Sequence, residues 1–246
     1  MTQNFLEACY NAALEVNTMI QSTNHAVGCA LQSKGAGGDI SITYDLLAEA
    51  IFVKHLSSFG QIHSEEGGVL GEGQNLIILD PIDGSDNLKS NFPYYGASVA
   101  LQNDEKTIAA FVCNFANGDC FIKDATVGCK RSLTDVNCRS ELCINTYAKV
   151  GLFEKAAKYP DLAHKLLKSG LKFRAPGAVA LSLAYAYEVR FMIFVGESRP
   201  YDVAAGLYLC EDMYRYVSDE LIVVSHNKDD FAKILSLFQL SNDATF

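Results

Sequence analysis

A short acidic loop combines the residue types that bind metal ions and phosphate groups. Residues 80–85 read Asp-Pro-Ile-Asp-Gly-Ser, so Asp80 and Asp83 lie on either side of a tight bend. Two adjacent carboxylates raise each other's pKa unless a cation lies between them. An all-oxygen ligand set suits a hard cation such as Mg²⁺, whereas soft metals prefer thiolates or imidazoles. The loop therefore predicts a magnesium site.

The end of this loop has the features of a phosphate site. Gly84 lets the backbone approach a ligand closely, and Ser85 offers a hydroxyl group. Ser85, Asp86 or Asn87 could cap a following helix, whose free amides attract an anion. The same residue types also form ordinary acidic surface turns. A functional site is favoured by the buried strand that leads into the loop, because carboxylates buried without partners are costly.

An apolar strand is predicted to position the acidic loop of residues 80–85. Residues 76–79 read Leu-Ile-Ile-Leu, which is typical of a strand buried on both faces. Pro81 is predicted to end this strand, because proline cannot donate a hydrogen bond to a β-ladder. Three further strands are predicted after the loop, at residues 95–101, 107–115 and 119–123.

Two helices are predicted before the loop. Apolar residues at helical spacing predict a helix over residues 5–20, and a second helix is predicted over residues 45–59. Asp45 lies where the second helix starts, a position at which most aspartates are only caps. Glu65 and Glu66 precede two glycines, and on their own such residues are typical of a solvated loop.

The second half of the chain is predicted to form a separate domain. From about residue 142 strands alternate with helices, beginning with a strand at residues 142–146. A later helix begins near Asp202 and is predicted to run to about Val217. We therefore expect an N-terminal α+β domain that binds metal and phosphate at residues 1–138, and a C-terminal α/β domain at residues 139–246.

The composition narrows the possible partners. The chain has 246 residues and is 49% hydrophobic. Its formal net charge of -9 argues against nucleic-acid binding. The same negative charge means that an anionic substrate needs a local cation. No apolar run reaches the length of a membrane span, and no secretory signal is recognised. The eight cysteines include no Cys-x-x-Cys pair. These features predict a reduced, cytoplasmic protein that binds no membrane.

Three motifs, taken in order, resemble the signature of the inositol monophosphatase family. They are Glu65-Glu66, residues 80–85 and residues 201–206, which read Tyr-Asp-Val-Ala-Ala-Gly. The wider superfamily consists of Mg²⁺-dependent, lithium-sensitive phosphatases. It also includes fructose-1,6-bisphosphatases and 3'-phosphoadenosine 5'-phosphate phosphatases. The resemblance implies an α/β fold, a layered α/β/α/β/α sandwich of two subdomains, with the active site between them, and a homodimer.

The resemblance also implies roles for individual residues. Asp45 would act with the Ser85 hydroxyl to orient and deprotonate the attacking water, and the amides of Gly84 and Ser85 would hold phosphate oxygens. The implied metal ligands are Glu65, Asp80, the backbone carbonyl of Ile82, Asp83 and Asp202. Looser matches to the substrate pocket are Arg174, Gly177 and Ala178, with Glu197 a further candidate whose register is shifted.

The implied chemistry agrees with these residue types. A phosphate monoester resists hydrolysis, so catalysis needs a strong nucleophile and neutralisation of the phosphoryl charge, and clustered Mg²⁺ can provide both. The predicted activity is hydrolysis of a small sugar or polyol monophosphate, with inositol monophosphate the first candidate. The alternatives are fructose 1,6-bisphosphate and 3'-phosphoadenosine 5'-phosphate as substrates, or a non-enzymatic binding or regulatory role.

Features that bear on substrate choice differ from the family pattern. Tyr201 stands where the family usually has Trp, and Asp86 stands where inositol monophosphatases often have a second Thr. Asp86 places another negative charge near the phosphate. A bisphosphate substrate would need extra basic residues, and Arg174 and Arg199 are the two candidates found in the sequence.

Overall fold

Helices and sheets alternate in five layers in the computed structural model of the chain, which describes residues 1–135 and 137–240. The predicted mixed α/β sandwich is confirmed. Its helices are α1 (Thr2–Ser22), α2 (His25–Gly28), α3 (Thr43–Leu56), α4 (Ser85–Lys89), α5 (Pro160–Lys168), α6 (Val179–Ala184), α7 (Pro200–Leu209) and α8 (Lys228–Leu237). Two 3-10 turns occupy Ala156–Lys158 and Tyr185–Tyr187.

Most strands of the first half form one sheet of eight, in the order β10-β9-β8-β7-β6-β5-β3-β4. A separate hairpin joins β1 (Leu31–Lys34) to β2 (Ile40–Ile42). The strands of the large sheet are β3 (Gln61–Ser64), β4 (Gly68–Leu70), β5 (Leu76–Asp83), β6 (Gly96–Asn103), β7 (Lys106–Asn114), β8 (Asp119–Asp124), β9 (Gly128–Ser132) and β10 (Arg139–Glu141).

The second half contributes a sheet of five strands in the order β12-β11-β13-β15-β14. Its strands are β11 (Gly151–Glu154), β12 (Phe173–Arg174), β13 (Met192–Val195), β14 (Tyr214–Val217) and β15 (Leu221–Ser225). The first sheet thus extends to Glu141 and the second begins at Gly151. The domain division after residue 138 stays a prediction.

Four apolar cores hold the layers together. The amphipathic α1 packs with α3 on one face of the large sheet, where Phe5, Phe52 and Phe111 are fully buried. Helices α6 and α7 fill the space between the two sheets, and Leu183 and Ala205 are among their fully buried residues. Helices α5 and α8 cover the far face of the small sheet. This stacking brings the N-terminal ends of α6 and α7 against the loop after β5.

The prediction that Pro81 ends the central strand is wrong. Strand β5 continues to Asp83, but its register with β6 shifts between Asp80, which pairs with Ser98, and Asp83, which pairs with Gly96. Proline is tolerated inside a strand at such a bulge, where no ladder hydrogen bond is required of it. The bulge turns the Asp80 side chain and the Asp83 side chain toward one cleft.

Two element predictions in the second half are also wrong. Residues 142–146 form no strand. They connect the layers, with Leu142 packing against two cores and the Asn145 amide donating to the Tyr187 carbonyl. Helix α7 ends at Leu209 instead of continuing to Val217, because residues 214–217 pair with β15 as an edge strand. Within the described residues, no helix is long and apolar enough to cross a membrane.

Candidate metal and phosphate site

Three carboxylates from distant parts of the chain meet at the ends of the central strands. Glu65 follows β3, Asp80 lies in β5, and Asp202 lies in the first turn of α7. One carboxylate oxygen from each lies within 4.8 Å of the others, and each residue is at least nine-tenths buried. An all-oxygen cluster of this size and charge fits a hard divalent cation, as predicted from the residue types.

Arg199 neutralises part of this cluster. Its guanidinium makes a bidentate pair with Asp202, with Nε–Oδ2 and Nη2–Oδ1 distances of 3.0 Å each. Its Nη1 lies 2.6 Å from Glu65 Oε1 and 2.9 Å from Asp39 Oδ2. Arg199 occupies the N-cap position of α7, three residues before Asp202. Arg199 was predicted only as a possible substrate contact, although its i, i+3 spacing from Asp202 is a visible pairing signal.

Burial and repulsion between neighbouring carboxylates raise the pKa values of Glu65, Asp80 and Asp83. Burial, with a smaller contribution from Asp202, raises the pKa of Glu65 to about 7, against the lowering effect of Arg199. Burial likewise raises the pKa values of Asp80 and Asp83 well above the usual range, and neighbouring carboxylates add to the effect in both. A divalent cation would favour the ionised forms, so metal binding and deprotonation are linked.

Asp83 lies in the same cleft but is held separately from the triad. Its Oδ2 accepts a hydrogen bond of 2.9 Å from the Leu181 amide in α6. The Ile82 amide donates to Asp80 Oδ1 at 3.0 Å, which fixes the bulge, and Ile82 also lines the cleft. The second half of the chain therefore orients Asp83 through Leu181, whereas β5 itself orients Asp80.

Gly84 and the residues around it shape a narrow backbone turn. Gly84 has φ +87°, and a Cβ placed there would lie 3.0 Å from the Tyr94 carbonyl oxygen and 3.1 Å from the Ala178 Cβ. The Asn87 side-chain amide donates to the carbonyls of Tyr94 and Pro176 at 2.7 and 2.8 Å. Any larger residue at position 84 would push the Gly84 turn away from Tyr94 and from Ala178. Gly84 thus lets these protein segments pack closely, and its predicted close approach to a ligand stays a prediction.

Asp45 faces the cleft with one free oxygen. Its Oδ2 accepts a hydrogen bond of 2.8 Å from the Ile42 amide, whereas its buried Oδ1 has no hydrogen-bond partner among the described residues. Burial, reinforced by Glu66 and Glu65, raises the pKa of Asp45 to about 7. Ser85 lines the same cleft, but no hydrogen bond joins it to Asp45 among the described residues. Glu66 also lines the cleft and accepts a hydrogen bond from the Ser41 hydroxyl.

The cleft between these elements has a volume of about 970 Å³. Of the predicted pocket residues, Gly177 and Glu197 line it, and Ala178 is buried beside Gly84. Arg174 is exposed on β12 and is not among the residues that line the cleft, and its Nη1 donates to the Phe173 carbonyl at 2.8 Å.

Three basic residues that the sequence analysis missed line the cleft with Arg199. They are Lys89 at the end of α4, and Lys155 and Lys158 just after β11. Lys89 pairs with Asp86 at 2.5 Å. Within the described residues, no carboxylate lies at ion-pair distance from Lys155 or Lys158. No local pattern marks these lysines as cleft residues, because only the packing of the small sheet brings β11 there.

Comparison with known proteins identifies the family of the chain. Residues 1–213 match the model of the inositol monophosphatase family. A relative from Methanothermobacter thermautotrophicus, named fructose-1,6-bisphosphatase/inositol-1-monophosphatase, is 30% identical over 208 residues, which are 76% of this chain and 73% of that protein. Nus factor SuhB from Escherichia coli is 28% identical over 227 residues, covering 87% of this chain and 84% of that protein.

The fold is shared with solved structures of similar proteins. The structure titled Thermotoga maritima IMPase superposes with a TM-score of 0.75 at 18% identity, covering 95% of this chain and 96% of that one. The family match spans all three motifs named above, together with Asp45 and the Gly84 turn. The chain therefore belongs to the inositol monophosphatase family.

Proposed function

We propose that the protein is a Mg²⁺-dependent, lithium-sensitive phosphatase that hydrolyses a small sugar or polyol phosphate monoester, with inositol monophosphate as the first candidate. The observation that carries the proposal is the position of Asp45. This acid has a free, buried carboxylate oxygen in the same cleft as the Glu65, Asp80 and Asp202 cluster. A binding protein needs the cluster but has no use for a separate general base.

Each residue has a distinct part in the proposed reaction. Mg²⁺ held by Glu65, Asp80, the Ile82 carbonyl, Asp83 and Asp202 would supply a water of lowered pKa and neutralise phosphoryl charge. Asp45 Oδ1 takes the proton from the attacking water, with the Ser85 hydroxyl orienting it, while the Ile42 amide keeps Oδ2 in place. The backbone amides of Gly84 and Ser85 hold phosphate oxygens in the turn that only glycine permits.

The Asp45→Asn variant tests the general base. We expect kcat to fall by about 10²- to 10⁴-fold, because asparagine cannot take the proton but can still accept the Ile42 hydrogen bond. The half-saturating Mg²⁺ concentration should stay within about twofold, because Asp45 is not a ligand in this proposal. Glu49→Gln is the control, since Glu49 lies on the same helix, accepts a hydrogen bond from the Gly67 amide and is not among the residues that line the cleft. Equal kcat in both variants would remove Asp45 from the reaction.

A bisphosphate substrate is the second candidate, and it is favoured by the unpaired lysines. Lys155 Nζ lies 4.3 Å from the centroid of the Phe194 ring and next to Gly196, where a Cβ would lie 3.4 Å from it. Partial burial, with Lys158 as the next contribution, lowers the pKa of Lys155. Two adjacent cations without counter-ions at the edge of an acidic cleft suit a second phosphate group better than an uncharged hydroxyl.

A double substitution distinguishes the two substrate classes. If the substrate is a bisphosphate, Lys155→Ala/Lys158→Ala should lower kcat/KM for fructose 1,6-bisphosphate by about tenfold or more. The value for inositol 1-phosphate should stay within about twofold. The control is Lys165→Ala/Lys168→Ala, which removes the same charge from α5. An equal loss for both substrates, or no loss for either, would reject a second-phosphate role for Lys155 and Lys158.

The expected homodimer and the cytoplasmic location remain parts of the proposal. A regulatory role without catalysis is the alternative from a different class, and the similarity to relatives named Nus factor SuhB supports keeping it. Catalytic turnover that depends on Asp45 would favour the enzyme. A folded protein without turnover on any phosphate ester tested would favour the regulatory alternative.

A further inference from the structure

Glu154 is a buried carboxylate that the proposed reaction does not use. It is the last residue of β11, and only 2% of its surface is exposed. Among the described residues it has no ion-pair partner. Burial raises its pKa, with hydrogen bonds from its neighbours opposing the rise. Because a buried carboxylate is costly unless its oxygens are hydrogen-bonded, the partners of Glu154 indicate its role.

Among the described residues, the hydrogen-bond partners of the Glu154 carboxylate lie in one short segment, residues 176–182. The Gly177 amide donates to Oε2 at 3.0 Å, and the Ser182 hydroxyl donates to Oε1 at 2.5 Å. The Ala178 amide also donates to this carboxylate. The Ser182 hydroxyl is in turn 3.1 Å from the Tyr94 hydroxyl. The carboxylate thus holds both ends of the segment, which begins before α6 and ends within it.

The same segment touches the metal and phosphate loop at three points. The Pro176 carbonyl accepts a hydrogen bond from the Asn87 side chain, and Ala178 Cβ lies 3.1 Å from the Cβ position of Gly84. The Leu181 amide donates to Asp83 Oδ2 at 2.9 Å. Glu154 therefore lies one hydrogen-bonded segment away from Asp83.

We propose that Glu154 is a positioning residue, whose carboxylate fixes residues 176–182 so that the Leu181 amide orients Asp83 and Ala178 closes the Gly84 turn. Glu154 does not line the cleft, and its positioning role acts through this segment, while its charge also contributes to the raised pKa of Asp83. Its kinetic consequences rest on the proposed phosphatase activity, whereas its effect on the segment does not. No signal in the sequence marks Glu154, because β11 itself was not predicted.

The test compares Glu154→Ala and Glu154→Gln with Asp230→Asn. Alanine leaves the amides of Gly177 and Ala178 and the Ser182 hydroxyl without an acceptor, whereas glutamine keeps one acceptor oxygen and the side-chain shape. Asp230 is the matched control, because it is a buried carboxylate on α8 in the same half of the chain. It pairs with Arg190 through both oxygens, at 2.5 and 2.9 Å, away from the cleft.

Hydrogen exchange gives a readout that does not require activity. In Glu154→Ala we expect amide exchange of residues 177–184 to quicken by about tenfold or more, with a smaller effect in Glu154→Gln. The same peptide in Asp230→Asn should exchange at the wild-type rate when compared at equal thermal stability. Equal exchange in Glu154→Ala and Asp230→Asn would overturn the positioning role, whether or not the wild-type protein is a phosphatase.

Kinetics on an active substrate give the second readout. Residues that hydrogen-bond to metal ligands and orient them typically contribute about 10- to 100-fold to metal affinity or activity. We therefore expect Glu154→Ala to lose kcat/KM and to raise the half-saturating Mg²⁺ concentration within that range, with partial recovery in Glu154→Gln. Wild-type constants in the folded fraction of Glu154→Ala would overturn the proposal. An inactive wild-type protein would instead contradict the phosphatase function and leave hydrogen exchange to decide the role of Glu154.

Discussion

Asp83→Asn is expected to lower turnover by about a thousandfold or more, because it removes one proposed metal-ligand charge next to the phosphate turn. The asparagine oxygen can still accept the hydrogen bond from the Leu181 amide, so α6 should keep its place. Burial and neighbouring carboxylates disfavour ionised Asp83 in the metal-free protein, and removing this charge should therefore raise the melting temperature in EDTA. Phosphate release and thermal unfolding measure the two effects.

The matched control for this variant is Asp124→Asn. Asp124 is another buried aspartate of the large sheet, and its side chain accepts from the Thr126 and Val127 amides in the turn after β8. Asparagine can make the same contacts, and Asp124 does not line the cleft. Asp124→Asn should keep turnover within about twofold of the wild type. Undiminished turnover in Asp83→Asn would contradict the assignment of Asp83 as a ligand.

The second large effect is a loss of stability of the metal-free protein as pH rises. In the folded state the pKa of Asp45 and of Glu65 is raised to about 7, and the pKa values of Asp80 and Asp83 are raised as well. In the unfolded chain the carboxyl groups of Asp and Glu titrate at about pH 4. Between about pH 4 and about pH 7 the folded state therefore binds more protons than the unfolded state. The stability of the metal-free protein thus falls as the pH rises through this range.

Thermal unfolding in EDTA measures this dependence. Between pH 5 and pH 8 we expect the melting temperature to fall by roughly 5 to 10 °C, and millimolar Mg²⁺ should restore more stability at pH 8 than at pH 5. Asp83→Asn should show a shallower fall, and Asp124→Asn should follow the wild type. A melting temperature that is flat or rises across this range without metal would contradict the acid cluster described here.

Residues of the site that are close in sequence could be predicted from it. Asp80, Asp83 and Gly84 fall within five positions, and the turn between them limits where their groups can lie. The contribution of Pro81 was misjudged because the bulge that accommodates it depends on pairing with β6. The convergence of Glu65 and Asp202 on Asp80 came from the family resemblance, since no local pattern relates residues so far apart.

Residues that tertiary packing brings to the cleft or near it could not be predicted. Glu154, Lys155 and Lys158 depend on β11, a four-residue strand whose position follows from its parallel pairing with β12 and β13. The helix predicted to run to Val217 illustrates a different limit. Aromatic residues near its end fit a helical spacing, but Tyr214 and Tyr216 also alternate as in a strand, and pairing with β15 decides between the two.

The most direct test of the proposed activity is phosphate release from a panel of esters. The panel contains inositol 1-phosphate, fructose 1,6-bisphosphate and 3'-phosphoadenosine 5'-phosphate, each assayed with Mg²⁺ and with EDTA, and with Asp83→Asn in parallel. We expect Mg²⁺-dependent release from at least one ester by the wild-type protein, strongest for inositol 1-phosphate, and none by Asp83→Asn. No release from any ester by protein shown to be folded would contradict a phosphatase acting on these substrates and favour the regulatory alternative.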